Sequence, residues 1–135
     1  MDDHLQFLYT CDKELCHGKL EWKEERNFMR IESDVIAQNG EHILFKGTYS
    51  PRSHDFSFIL LYRRKYVIRR FDMEPRHWNP GKKVLITGEH KHFDDGTAYN
   101  VHDINTSDVN QAIFDFFEEC NIDYKKIEYH TLMMI

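Results

Sequence analysis

Apolar and polar residues alternate in the middle of the chain, and this pattern predicts a series of antiparallel strands. Residues 27–37 alternate and run into the turn sequence Gln38-Asn39-Gly40, which indicates the first strand of a hairpin. Residues 43–49 are rich in β-branched and aromatic side chains and are its predicted partner. Residues 56–62 form the most apolar run in the chain and predict a strand buried on both faces, with 66–71 as its antiparallel neighbour.

A loop and a further hairpin follow in the predicted order of elements. Residues 73–83 contain two prolines and one glycine, and this composition predicts a loop. Residues 84–93 predict another strand, with an interruption or bulge at Gly88. A tight turn at 94–96 then leads to a strand over 97–104, because Asp-Gly suits the positive φ of a short hairpin turn.

Two helices flank the predicted strands. Residues 2–17 have an acidic start and apolar residues at helical spacing, so they predict a short amphipathic helix. Residues 107–121 predict a longer helix that is capped by Ser107 and ended by Asn121. Residues 127–135 are a last strand or a tail. The expected fold class is α+β, with an antiparallel sheet of five or six strands and the N-terminal and C-terminal helices packed on one face.

The length of the chain indicates one domain. At 135 residues it can bury a hydrophobic core without a disulfide or a metal ion. We therefore expect a single domain over 1–135. Its expected segments are an N-terminal helical segment, the antiparallel sheet, a helix, and a C-terminal strand or tail, at 1–26, 27–104, 107–121 and 122–135.

Composition narrows the class of protein. No run approaches the roughly 18 continuous apolar residues of a membrane helix, and the first residues lack the basic flank and apolar run of a secretory signal. We therefore expect a cytoplasmic protein without a membrane partner. The cysteines Cys11, Cys16 and Cys120 are odd in number and share no pair spacing, which argues against a disulfide framework and a thiolate zinc site.

Charge is distributed unevenly along the chain, although the net charge is −5. Residues 62–92 carry nine Lys/Arg against three Asp/Glu, a net of +6. Residues 1–61 carry seven against eleven, and residues 93–135 carry two against nine. The basic segment can bind phosphates although the protein as a whole carries a net negative charge. Equally, these side chains can lie on a solvated strand face and pair with the acidic flanks.

Histidines also gather in the basic segment. His90 and His92 lie two positions apart on a predicted strand and so share a face. Such a pair suits RNA cleavage without a metal or cofactor, in which one imidazole removes the proton of a 2′-hydroxyl and another protonates the leaving 5′-oxygen. The candidate catalytic residues are His77, His90 and His92. The candidate substrate-binding residues supply cations and aromatic faces: Arg69, Arg70, Lys91, Trp78 and Tyr66.

Two other interpretations of these histidines stay open. His77, His90 and His92 could bind zinc, iron or nickel, because His-x-His on a strand with a third imidazole is a known ligand geometry. No fourth ligand stands at motif spacing, although Asp72 or Asp94 could serve. Alternatively, the three are structural residues in a hydrogen-bonded sheet edge, and chance clustering is not rare in a chain with nine histidines. The functional and structural interpretations weigh about equally.

Several short motifs in the second half of the chain occur in an order that resembles a known family. They are Arg70-Phe71-Asp72, His77-x-Asn79-Pro80-Gly81, Gly88-Glu89-His90-Lys91-His92, Ala98 and Phe116-Phe117-x-x-Cys120-Asn121-Ile122. The order resembles a family of small uncharacterised bacterial proteins that is defined only as a domain of unknown function, and the resemblance covers about residues 43–122. The loop at Asn79 lacks the aspartate of the fuller Asn-Pro-Asp-Gly pattern, so no ligand role is expected from that acid.

The Arg-x-Asp, His and His-x-His order is also similar, more distantly, to the toxins of TumE–TumA toxin–antitoxin modules. That resemblance implies an RNA-directed, growth-inhibiting role and a cognate antitoxin as partner. Our leading hypothesis is a toxin-like, metal-independent endoribonuclease of a bacterial toxin–antitoxin or mobile-element system. The alternative is a non-catalytic inhibitor, from a phage or mobile element, of a host defence complex, with a nucleic-acid-binding protein as partner. A metal-binding protein is the second alternative, and the oligomeric state is left open.

Overall fold

The computed structural model of the protein describes most of the chain. It covers residues 3–16, 18–79, 84–92, 98–100, 104 and 106–132. For three stretches it describes the strand backbone and its pairing alone, namely 73–79, 84–92 and 98–100. The turn expected at 94–96 lies outside the described residues.

The described part of the chain contains two helices and is otherwise mostly sheet. The helices are α1 (Asp3–Thr10) and α2 (Val109–Glu119), and neither is long and apolar enough to cross a bilayer. The strands are β1 (Lys13–Leu15), β2 (Lys19–Glu21), β3 (Lys23–Glu25), β4 (Phe28–Ala37), β5 (His42–Tyr49), β6 (Phe56–Tyr62), β7 (Tyr66–Asn79), β8 (Val84–His92), β9 (Ala98–Asn100), β10 (Ile122–Asp123) and β11 (Glu128–His130).

Six consecutive strands, β4 to β9, form an antiparallel meander in which each strand pairs with the next. The first hairpin turns at Gly40, whose φ of 87° lies in the left-handed region. Glycine adopts this conformation without the steric penalty of a Cβ atom. Because all five strand pairs of the meander are antiparallel, they confirm the arrangement that the alternating pattern predicts for this part of the sheet.

The edge of the sheet beyond β4 is mixed rather than antiparallel. β1 pairs antiparallel with β4 and parallel with β10, and β3 adds to another part of β4. A separate two-stranded sheet joins β2 and β11 in parallel. The parallel pairs join residues 109 positions apart, such as Lys13 with Ile122. The expectation of a purely antiparallel sheet is wrong here, because local sequence carries no signal for such distant pairing.

Aromatic rings fill the space between the sheet and α2. Phe45 of β5 lies with its ring centroid 5.9 Å from that of Phe116 and 4.8 Å from that of Phe117. Phe58 of β6 lies 5.4 Å from Phe116. All four rings are fully buried, and this burial is the main force that holds α2 on the sheet. We call the face that carries Phe45 and Phe58 the inner face and the opposite one the outer face.

A glycine is required at one inner-face position of β5. A Cβ atom at Gly47 would lie 2.7 Å from Ile31 Cγ2 and 3.0 Å from Phe58 Cδ1. These distances are shorter than normal carbon–carbon contacts. Side chains of the two neighbouring strands, β4 and β6, therefore pack directly against the Gly47 backbone.

Helix α1 packs on the inner face as well. Its Leu8 is fully buried, and its Tyr9 contacts Arg69 of β7. Arg69 is paired in register with Leu60, which is paired with Phe45, so these residues share the inner face. Both helices therefore contact the same face of the sheet, as the sequence predicts.

Strand β7 is longer than expected and extends well into the loop predicted at 73–83. A register shift between Met73 and Arg76 sets two residues of β7 opposite Gly88 of β8. A β-bulge accommodates a proline such as Pro75, which would otherwise interrupt a regular ladder. The irregularity expected at Gly88 is therefore present, but the extra residue lies on β7 and not on β8, the strand that contains Gly88.

The N-terminal segment contains less helix than predicted. The expected helix over 2–17 ends at Thr10, and the described residues after it in the segment 1–26 form three short strands and their connections. Lys13 Nζ donates to two carbonyls at the end of α1, at 2.8 and 2.6 Å, and Asn121 Nδ2 donates to the Thr10 carbonyl at 2.8 Å. Helix ends need such partners for their last carbonyls. Groups distant in sequence therefore help to end α1.

Helix α2 begins one residue later than predicted. The N-cap is Asp108 rather than Ser107: it has an extended backbone with φ −143° and ψ 106°. Its carboxylate accepts a hydrogen bond from the Asn110 amide at 2.9 Å, which satisfies one of the free N–H groups at the helix start. The predicted stop is confirmed, because Cys120 is the C-cap and Asn121 has a φ of 57°.

Candidate active site

The outer face of the meander carries two rows of mainly polar residues. Directly paired residues on antiparallel strands lie on the same face, so the register determines the rows. The first row crosses β4 to β8 as Arg30, Thr48, Ser57, Asp72 and His90. The second crosses the same strands as Glu32, Lys46, Ile59, Arg70 and His92. On β8, each row contains a candidate catalytic histidine.

Side-chain contacts connect members of the two rows. Thr48 Oγ1 and Ser57 Oγ lie 2.7 Å apart. Arg70 Nε lies 2.8 Å from Asp72 Oδ2. The Asp72 side chain is only 8% exposed, and a buried carboxylate requires partners of this kind. The Arg70 side chain is 47% exposed, so part of its guanidinium is accessible to an anion from solvent.

The register brings both histidines of the His-x-His motif to this region. His90 is paired directly with Asp72, and His92 directly with Arg70. Residues in such pairs have Cβ atoms about 5 Å apart. A carboxylate, a guanidinium and two histidine positions therefore form one group, which we call the outer-face patch: Arg70, Asp72, His90 and His92.

The other candidate residues of this strand pair lie further along it. His77 pairs with Ile86, and Trp78 pairs with the residue before Ile86. Ile86 is four residues from His90, which corresponds to about 13 Å along a strand. The backbone therefore does not bring His77 beside His90 and His92. The same separation does not favour a metal site formed by His77, His90 and His92 together.

Two of the predicted phosphate-binding cations occupy inner-face positions. Arg69 is only 5% exposed, its Nε lies 3.2 Å from Glu119 Oε2, and its guanidinium lies 4.0 Å from the Tyr9 ring centroid. Arg69 therefore joins the sheet to both helices, and its burial does not favour the expected substrate-binding role. Lys91 is paired in register with Phe71, which is fully buried on the inner face.

The remaining candidate, Tyr66, lies at the turn between β6 and β7. It is paired with Tyr62, and its side chain is well exposed. Arg70 is four residues further along β7, or about 13 Å away. Tyr66 is therefore accessible but is not part of the outer-face patch.

A cavity of about 410 Å³ opens beside the outer-face patch. Its lining includes Phe28, Thr48, Asp55, Ser57 and Asp72. An apolar ring with a few hydroxyls and carboxylates is a typical lining for a small-molecule site, and the volume lies within the usual range of about 300–1,000 Å³. Sequence reasoning missed Phe28, Thr48 and Ser57. Their polar or aromatic character at outer positions of the predicted strands was the available signal.

A larger cavity of about 740 Å³ lies at the opposite edge of the sheet, near β1, β10 and the end of α2. Four acids contribute to its lining, namely Asp12, Glu14, Glu118 and Asp123. Lys13 also lines it, and burial lowers the pKa of this lysine. The Lys13 ammonium already donates to the Tyr9 and Cys11 carbonyls, and Lys125 is the second cation of the lining. The four acids therefore give this edge a net negative charge.

The described side chains contain neither a metal cluster nor an activated thiol. No group of three or more His, Cys, Asp or Glu residues among them is arranged to hold a metal ion. All three cysteines are free, with Cys11 and Cys120 buried. Burial raises the pKa of the Cys16 thiol, which disfavours the thiolate that a nucleophile requires.

Comparison with known proteins identifies a family. Searches of curated proteins and of solved structures find no match. A family model described as a family of unknown function, DUF6978, matches residues 1–122. The match fits the resemblance to an uncharacterised domain family and extends it over most of the chain. The chain therefore belongs to the family of unknown function DUF6978.

Proposed function

We propose that the protein cleaves single-stranded RNA without a metal ion and that the outer-face patch performs the chemistry. The observation that carries the proposal is the register of β7 and β8, in which His90 stands opposite Asp72 and His92 opposite Arg70. RNA cleavage of this type needs two proton-transfer groups and a cation for the developing phosphorane charge. The patch contains these residue types within two register pairs on one face, between which lies the single pair Phe71–Lys91.

In the proposal, His90 and His92 are the two proton-transfer groups. One removes the 2′-hydroxyl proton, and the other protonates the leaving 5′-oxygen. Arg70 stabilises the negative charge on the phosphorane, and the neighbouring cavity receives a nucleotide.

The proposal predicts large rate effects at the two histidines. His90→Ala and His92→Ala should each lower the rate of RNA cleavage by about 10²–10⁴-fold in buffer with EDTA. His42→Ala is the matched control, because His42 is an exposed histidine of the same sheet outside the patch. A substrate with a 2′-deoxyribose at the cleavage position should remain intact. Intact RNA after prolonged incubation with wild-type protein, with or without added metals, would refute the proposed function.

The biological role follows from the motif similarity and is part of the proposal. The Arg70-Phe71-Asp72 and His90-Lys91-His92 motifs support a toxin-like role in a bacterial toxin–antitoxin or mobile-element system. Induced expression should then arrest growth, and His92→Ala should relieve the arrest. Co-expression of a small neighbouring gene that encodes an antitoxin should relieve it as well. Normal growth at high wild-type expression would contradict the toxin role but not the cleavage chemistry.

A non-catalytic inhibitor remains the second candidate because of the acidic edge beside the 740 Å³ cavity. Acids such as Glu14 and Asp123 could occupy a basic groove of a nucleic-acid-binding partner in place of phosphates. In that case Glu14→Lys with Asp123→Lys should abolish complex formation with the partner, while His92→Ala should not. Loss of complex formation with His92→Ala alone would contradict the inhibitor.

A further inference from the structure

The turn between β6 and β7 contains two consecutive non-glycine residues in the left-handed conformation. Arg63 has a φ of 54° and Arg64 a φ of 58°, and Lys65 N donates to Tyr62 O at 3.1 Å. A turn with positive φ at both central residues favours Asn-Gly, because most other residues are strained at positive φ. Strain at a surface turn, where an unstrained sequence would fold at least as well, suggests a function for the side chains.

The cations of this turn differ from Arg30 and Arg70 of the same sheet. Arg63, Arg64 and Lys65 are all exposed, and within the described residues no carboxylate forms an ion pair with them. By contrast, Arg30 and Arg70 each have a carboxylate partner. The turn therefore carries three adjacent positive charges on a protein whose net charge is −5. The carboxylate of Glu41 reaches this region only through the Tyr62 hydroxyl, to which Glu41 and Arg63 are both hydrogen-bonded.

Aromatic rings surround these cations. Tyr66 is 45% and Phe7 39% exposed, and they are the two large exposed apolar side chains of the described residues. The Tyr62 ring lies 6.4 Å from Tyr66 and 5.1 Å from His4, and His4 lies 6.4 Å from Phe7. The guanidinium of Arg63 lies 5.2 Å from the Tyr62 ring centroid. Four rings thus run from α1 to the turn beside the charges.

We propose that this surface binds single-stranded RNA. We call it the tip surface: Phe7, Tyr62, Arg63, Arg64, Lys65 and Tyr66. Exposed rings interleaved with unpaired cations are the combination that single-stranded nucleic acids require, with bases stacked on the rings and phosphates beside the cations. An acidic protein partner would contact the cations, but it would not account for the exposed aromatic rings beside them. The proposal rests on the proposed function only in the choice of RNA as the nucleic acid.

The tip surface is separate from the outer-face patch. Tyr66 and Arg70 are four residues apart on β7, about 13 Å, and Tyr66 is paired with Tyr62 on the side of the sheet that faces α1. RNA held at the tip surface extends beyond the nucleotides at the patch. The tip surface therefore raises affinity for longer strands without taking part in proton transfer.

One double variant distinguishes the effect of the strained turn on stability from the effect of its side chains on RNA affinity. Arg63→Asn with Arg64→Gly should raise the urea midpoint of unfolding, because it installs the favoured turn sequence. The same variant should lower RNA affinity about tenfold or more and reduce the salt slope of log K by about 1.4, as expected for two lost phosphate contacts. The probe is a fluorescent uridine oligonucleotide with 2′-O-methyl riboses, which cannot be cleaved through the 2′-oxygen. Binding is measured by anisotropy across a range of KCl concentrations.

Arg26→Gly provides a matched control. Arg26 is exposed, has a φ of 53°, and lies in the turn between β3 and β4. Its replacement relieves the same strain and removes a positive charge away from the tip surface, so stability should rise while RNA affinity stays close to wild type. Tyr66→Ala should lower RNA affinity at least about fivefold through lost stacking.

The outcomes distinguish the tip surface from the proposed cleavage. Wild-type affinity in the Arg63→Asn, Arg64→Gly variant, or equal losses in that variant and Arg26→Gly, would overturn the proposed RNA-binding surface. Competition by polyglutamate with no effect of Tyr66→Ala would assign the surface to acidic proteins and also overturn it. Loss of binding in the double variant, combined with no cleavage of unmodified RNA by wild type, would support the tip surface while refuting the proposed function.

Discussion

Replacing Glu119 by alanine should destabilise the protein far more than removal of a surface acid. Glu119 belongs to α2, and its carboxylate lies 3.2 Å from Nε of Arg69 on β7. The two side chains are 13% and 5% exposed, so the pair is almost fully removed from water. Tyr9 of α1 covers the guanidinium, to which its hydroxyl is also hydrogen-bonded. Removal of the carboxylate would leave a buried guanidinium without this counter-charge.

The expected magnitude follows from the burial of the pair. Loss of one partner of a buried ion pair typically costs about 3–5 kcal/mol, because the remaining charge is not solvated. The double replacement Arg69→Met with Glu119→Leu removes both charges and keeps apolar volume. It should therefore be more stable than Glu119→Ala by several kcal/mol, since such exchanges are often close to neutral.

Urea denaturation followed by far-ultraviolet circular dichroism measures these differences. With a slope of about 2 kcal/mol per molar urea, Glu119→Ala should lower the midpoint by roughly 2 M. The control is Glu32→Ala on the outer face, whose carboxylate lies 3.8 Å from Lys46 and is 34% exposed. This control should lose less than about 1 kcal/mol. Equal small losses in Glu119→Ala and Glu32→Ala would refute the structural role of Arg69 and restore it as a candidate for RNA binding.

Further predictions concern packing, helix capping and pH. Gly47→Ala should destabilise the protein by about 1–3 kcal/mol in thermal unfolding through overpacking, whereas Gly18→Ala, with no atom within 4 Å of the new Cβ, should have almost no effect. Asp108→Ala should lose about 1 kcal/mol of stability and Ser107→Ala clearly less, and the reverse order would contradict the assigned N-cap. Burial raises the pKa of Tyr129 above its usual value near 10, so its contribution to stability is complete below pH 10 and lost as pH rises further. Urea midpoints measured from pH 9 to 11 should fall less steeply for Tyr129→Phe than for wild type, and parallel curves would contradict this assignment.

The local sequence determined most of the meander and one of the two helices. The turn at Gly40 and the apolar run at 56–62 predict strands where the structure has them, because hairpin pairing depends on residues close together in the chain. Helix α2 was predicted through its apolar spacing and its stop at Asn121 for the same reason. The spacing of His90 and His92 also placed both residues on one strand.

The tertiary structure alone decided which face each candidate residue occupies. Arg69 and Arg70 are neighbours in a basic segment, and sequence reasoning treated them alike. A register shift opposite Leu60 and Leu61 sets an extra residue in β7, so Ile68 and Arg69 are both buried while Arg70 is exposed.

Contacts between distant parts of the chain decided the remaining features. Glu119, the partner of Arg69, comes from a helix 50 residues later, and Asp72 meets His90 only through the pairing of β7 with β8. The parallel partner of β1 comes from residues near the end of the chain. Local propensity cannot show such pairings, because their free energy arises from burial and charge neutralisation between segments that meet only in the folded protein.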